Sequence, residues 1–361
     1  MAFDPLQEDC LRLILQNMRR EKIYPLENGE FIQAGMDQYQ TDPDKLVASD
    51  TDRSFHLTAK AAELADYRAP FLGDEAEINQ ADDRAEALLR EACELDPNNW
   101  DAQRMLTALC ADSNDAYVSY LLDNRDAVES HVLDVVQGAQ DPYEKEYASD
   151  LALRPLIRWL AALSSHALIV GQYKLSLEIA RELLELETTD PADARFTAML
   201  AMAKLEYDTA QLKAFRVNHP IAFHAASQHH RRDSNREQPR QDAWSLLAQM
   251  SALYKSFDFE GASHVLRLLM RTYPHSAKTL FYQPEFADGI FSRVNVLPGS
   301  QDELILAVSE ATPLLQEGLG APDAACFSTW IANHELVQAE LSREDERMRA
   351  GAHGPRQGGE N

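Results

Sequence analysis

Apolar residues return at helical spacing along almost the whole chain. The clearest stretch is 155–187, which predicts two helices joined by a tight turn. Leu156, Leu160, Leu163, Ala167 and Val170 form one stripe, and Tyr173, Ser176, Ala180, Leu183 and Leu186 form the answering one. Gly171-Gln172 breaks the run, because glycine accepts the left-handed backbone that ends a helix. Ser176 and Ala180 are small and fall where two antiparallel helices come closest. Such a pair cannot bury both faces alone, so it implies stacked neighbours.

The same pattern recurs on both sides. Residues 5–20 predict an amphipathic helix through Leu6, Cys10, Leu13, Ile14 and Met18, 31–40 a short helix, and 55–67 another. In 81–112, Ala85, Leu88, Leu89 and Ala92 form a stripe, LDPNN stops it, and Asn98 or Asn99 caps a helix through Ala102, Leu106 and Cys110. A helix over 115–137 ends at DPYEK, which opens the central pair. Asp190-Pro191 predicts a cap and first-turn proline for a helix through Phe196, Leu200 and Ala203. A short helix ends at His219-Pro220, and 241–274 forms a third clear pair around Trp244, Leu247, Ala262, Leu266 and Leu269. Residues 289–300 are strand-like, Ser300 and Glu303 make a capping box, and a last helix covers 322–345 before a Gly-rich tail.

Three of these units share one grammar: a small residue early in the second helix, further apolar residues four and seven positions later, then a proline or loop stop. Ala85, Leu89, Ala92 and Pro97 show it, as do Ser176, Ala180, Leu183 and Pro191, and Ala262, Leu266, Leu269 and Pro274. With ELDPNN at 94–99 and GQYKLSLEIARELLELE at 171–187, the chain resembles the tetratricopeptide-repeat (TPR) family. From Arg154-Pro155 to Leu205 it also resembles the repeat region of suppressor-of-tumorigenicity-7-like proteins. The matching prolines are not spaced by multiples of the 34-residue family period. The resemblance therefore implies an all-α, irregular TPR-like α-solenoid of stacked antiparallel helix pairs. In that arrangement 1–80 forms an N-terminal cap, 81–275 the repeats, 276–345 a C-terminal cap and 346–361 a disordered tail.

A family of this kind implies a non-enzymatic scaffold that holds a protein or peptide in a concave groove. First-helix positions facing such a groove are Arg104, Arg158, Ser165 and Gln249. Ala161, Ala162, Ser165, Met105 and Ala108 stand where one TPR subclass keeps donors for a terminal carboxylate, which disfavours that mode.

Charge narrows the partners. The formal net charge of −25 disfavours a nucleic-acid backbone or an anionic membrane. No apolar run is long enough to span a bilayer, and the acidic N-terminus does not read as a secretory signal. Cys10, Cys93, Cys110 and Cys326 form no CxxC pair and fit free thiols in the cytoplasm.

Histidines raise the competing reading, a metal-dependent or hydrolytic enzyme. His219, His224, His229 and His230 do not share a helical face, and His334-Glu335-Leu336-Val337-Gln338 lacks the second histidine of a zinc helix. No cofactor or metal site is expected. A third reading is a regulatory sensor that responds to a peptide. Residues 227–240 are basic and aperiodic, and are expected to form a mobile loop.

Overall fold

The computed structural model describes residues 4–24, 28–69, 72–219, 241–285, 296–297, 299–317 and 326–352. The fold is all-α, and among the described residues there is no strand. The chain divides into two compact units. One comprises Met1–Val170 with Glu178–Ala194, the other Gly171–Leu177 with Arg195–Asn361.

In the first unit, α1 (Pro5–Glu21) starts where Asp4 accepts from the Gln7 amide, with Pro5 in its first turn. It buries Leu13, Ile14, Leu15 and Met18. α2 (Gly29–Thr41) approaches it closely at Gly35, where an added Cβ would stand 2.9 Å from the Ile14 side chain. Ser49 and Asp52 cap α3 (Asp50–Ala62) reciprocally, so this helix begins five residues before its apolar pattern does. Its continuation, Glu63–Arg68, widens into a π-turn.

α4 (Glu75–Leu95) packs on α3 through Ala85, Leu89 and Ala92, with Leu57, Ala61, Ala102 and Met105 in the same core. Asn99 caps α5 (Trp100–Cys110) as expected. Its amide nitrogen donates to Ser54 (2.8 Å) and Thr58 (3.0 Å), which ties the LDPNN turn to α3. α6 (Asn114–Gly138) is 25 residues long and packs on α8 (Arg154–Ile169), where the Trp159 indole donates to the Leu121 carbonyl at 2.9 Å.

DPYEK does not open the central pair. Asp141 and Glu144 form a capping box around Pro142 and start a separate helix, α7 (Pro142–Asp150), which leans on α1. A turn at Gly171 (φ +81) leads from α8 to α9 (Tyr173–Leu186), and the division between the units falls within α9. Pro191 is not a first-turn proline either. Asp190 takes a left-handed backbone (φ +49) that aspartate tolerates, and its carboxylate accepts from the Ala194 amide at 2.6 Å.

The second unit holds α10 (Ala194–Lys204) from Arg195 onward, α11 (Thr209–Asn218), α12 (Ala243–Lys255) and α13 (Phe259–Thr272). Trp244 stacks on Phe196 at 4.0 Å and donates to Glu310 at 2.6 Å. α14 (Ala277–Tyr282), α15 (Gln301–Glu310) and α16 (Thr312–Leu315) follow, with Pro313 restarting the chain as α16.

The expected single helix over 322–345 is two: α17 (Phe327–Asn333) and α18 (Glu335–Ala352). His334 makes the break, since its ring nitrogen caps the Leu336 amide at 3.2 Å while its other nitrogen meets Ser263 at 2.9 Å. Helix α18 continues to Ala352, into the 346–361 stretch expected as a disordered tail. The 227–240 segment and most of the strand-like 289–300 stretch lie outside the described residues.

Candidate functional site

The first unit contains a concentration of charge inside its helical packing. Asp101, in the first turn of α5, is 4% exposed, and Glu8, in the first turn of α1, is 2% exposed. Arg158 on α8 joins them. Its Nε donates to Asp101 Oδ1 at 2.8 Å and its Nη2 to Asp101 Oδ2, while Nη1 donates to Glu8 Oε2 at 2.8 Å. Glu8 also accepts from Arg12 Nη2 at 2.7 Å and from Arg154 Nη1 at 3.0 Å. One carboxylate from α1 is thus held by three guanidinium groups.

Burial alone would raise the pKa of Glu8, but the charges of Arg158, Arg12 and Arg154 overcome it and hold the carboxyl far below its usual range. Burial likewise opposes ionisation of Asp101, and Arg158 again reverses the sign. Burial would lower the Arg158 pKa, yet Asp101 and Glu8 raise it. All three groups are therefore fixed charges at neutral pH, and none is poised to exchange a proton.

Arg12 extends the network toward solvent. Its guanidinium lies 4.0 Å from the Phe55 ring centre and donates to the Tyr147 hydroxyl at 2.7 Å. Both rings wall a cleft of about 570 Å³, together with Arg19, Trp100, His131, Asp134, Val135 and Tyr143. Arg12 and Asp101 also line it, so the charge network borders the cleft.

On the other side of Asp101 lies Arg104, 3.8 Å away, with a buried Nε that has no acceptor among the described residues. Arg104 also reaches the Tyr117 hydroxyl. Burial, helped by Arg104, lowers the His166 pKa to about 4, so the ring is neutral at pH 7, with Nδ1 3.0 Å from Asn114 Oδ1.

Of the expected partner-binding residues, the structure brings Arg104 and Arg158 together around Asp101. Neither presents an open cation; their side chains are 17% and 16% exposed. Ser165, two turns beyond Arg158 on α8, is buried. Gln249 is half-buried on α12 of the second unit. Sequence reasoning missed Glu8, Arg12 and the cleft. The available signal was the Glu8–Arg12 spacing of four on a helix, together with Arg154 and Arg158 one turn apart, four charges that need counterparts.

A second buried polar set lies nearby. Asp9 Oδ2 accepts from Tyr39 (2.7 Å) and faces His56 Nδ1 at 2.6 Å, with Asp9 and His56 each at most 1% exposed. Burial and the Asp9 charge push the Tyr39 pKa up, so its hydroxyl keeps its proton.

No protein-family model, curated protein or solved structure matches the chain. The functional reading therefore rests on the cleft and its chemistry. No helix of the described residues is long and apolar enough to cross a membrane.

Proposed function

We propose that the chain is a non-enzymatic helical-repeat scaffold that takes a segment of a partner protein in the cleft of its first unit. The observation that carries this reading is the cleft itself. A concave wall combines Phe55, Trp100, Tyr143 and Tyr147 with charged groups that are pre-paired and rigid. Aromatic faces supply contact area with few rotors to freeze, as interface anchors do.

The partner segment is basic with apolar anchors. Asp134 and Asp96 line the cleft, its four acids (with Asp101 and Glu144) outnumber Arg12 and Arg19, and the field of a −25 chain steers cations toward it. The same charge disfavours nucleic acid as the ligand. Four free cysteines fit a cytoplasmic setting.

A random-peptide display selection tests the proposal. Peptides rich in Lys or Arg with an aromatic residue should be enriched on the wild-type chain. They should lose at least about tenfold in affinity, equivalent to 1.4 kcal/mol, on Asp134→Lys and on Tyr143→Ala. Equal enrichment on both variants would sink the cleft as the site.

A further inference from the structure

In the second unit, His275 lies in the bend between α13 and α14, and Glu340 and Glu344 stand four residues apart on α18. Their ligand atoms all fall within 4.8 Å of one another. We propose that these three side chains bind a divalent transition-metal ion of the zinc class, pinning the bend to α18.

Three observations converge. His275 Nδ1 is 3.5 Å from Glu344 Oε1. A tetrahedral ion with bonds of about 2.0–2.2 Å has ligand–ligand edges of roughly 3.3–3.6 Å, so this edge is already at binding length. The Glu344 side chain is only 12% exposed, and among the described residues its buried Oε1 has no hydrogen-bond donor. A buried acceptor of that kind normally has a partner.

The third observation is charge. Two carboxylates at i and i+4 on one helix repel each other, and among the described residues neither forms a salt bridge to a Lys or Arg. A cation between them would offset that repulsion.

The backbone presents the histidine. His275 has φ +65, its carbonyl accepts from Gln301 Nε2 at 3.0 Å, and α14 packs directly on α18. One imidazole nitrogen with two carboxylate oxygens suits zinc and its neighbours in the transition series better than magnesium or calcium, which prefer all-oxygen sites. Three protein ligands leave a fourth position for water. The site is independent of the cleft in the first unit.

The experiment is calorimetric titration of zinc chloride into the full chain after chelator treatment and dialysis. The wild type is expected to bind one equivalent, and its melting temperature to rise by about 3 °C or more at saturation. His275→Ala and Glu344→Gln should each weaken binding at least about tenfold and abolish the thermal shift, while circular dichroism shows them folded. Because the chain has 11 histidines, His229→Ala with His230→Ala serves as the counter-variant and should bind like wild type. Absence of stoichiometric binding overturns the proposal, as does loss of binding in the counter-variant with retention in His275→Ala. If a substitution at 275 or 344 prevents folding, Glu340→Gln, at the third ligand, takes its place and must show the same loss.

Discussion

At the scale of single residues, the first unit depends on charges that its interior cannot leave unmatched. Arg158 serves two buried carboxylates, and removing one partner of such a pair costs about 3–5 kcal/mol. Arg158→Ala should therefore lower the unfolding free energy by that amount in urea, whereas loss of a surface pair such as Arg90–Glu86 should cost far less. Equal effects would mean that the network is solvated. The pH dependence has two windows. His166 has a folded pKa of about 4 against an ordinary 6.5, so between those values the unfolded chain binds a proton that the folded chain refuses. Stability then falls as pH drops, by at most about 1.4 kcal/mol per pH unit for one proton. Glu8 and Asp101 have depressed folded values, so their contribution is complete above the ordinary carboxylate range and is lost below it. His166→Gln should flatten the first window and Glu8→Gln the second, as read from urea midpoints against pH. The sequence showed Arg104 and Arg158 as groove-facing positions on first helices, but not that Glu8 of α1, 150 residues before Arg158, supplies a counter-charge to it.

At the scale of elements, caps and stripes were legible where the signal is local. Asn99 and Ser300 each open the helix their side chains announce. What was not legible depends on tertiary partners or on competition between signals. A short helix such as α7 hides between a proline and a stronger neighbour, and His334 splits α17 from α18 through contacts with Ser263 and the Leu336 amide. The metal-ligand set was equally hidden, because His275 and Glu344 are far apart in sequence and α18 is rich in acids. Ala180 is fully buried on α9, so Ala180→Leu should cost about 1–3 kcal/mol through overpacking. Glu182 is less neutral than its place on the polar face suggests, since it pairs with Arg125 on α6 at 2.6 Å. The exposed Glu185 is the better control, and its change to alanine should stay within about 0.5 kcal/mol. One turn breaks its local rule. Phe257 ends α12 in the left-handed region (φ +61) and is 80% exposed, where glycine is preferred. Phe257→Gly should raise stability by about 1 kcal/mol, and a loss instead would show that the ring packs favourably on Phe259.

At the scale of the molecule, 59 acids against 34 Lys and Arg set a repulsive background that falls on the first unit, with 39 against 16, while the second, with 20 against 18, is near balance. The buried pairs of the first unit are screened little by salt, but the exposed acids are screened within about 10 Å at 0.1 M. The two effects have opposite signs. Salt weakens exposed attractive pairs such as Lys45–Asp42, and it also relieves repulsion across every acidic helix face. With a net charge of −25 the repulsion outnumbers the attraction, so added salt should stabilise the fold. The melting temperature is expected to rise by several degrees between 10 and 150 mM sodium chloride, followed by circular dichroism at 222 nm. In the same range, association with a basic peptide should weaken, because the field that repels the chain from itself is the one that steers the ligand. A melting temperature that falls with salt would place the dominant electrostatics in the specific pairs and not in the net charge. It would also remove the long-range argument for a basic partner, and leave that choice to Asp96 and Asp134 in the cleft alone.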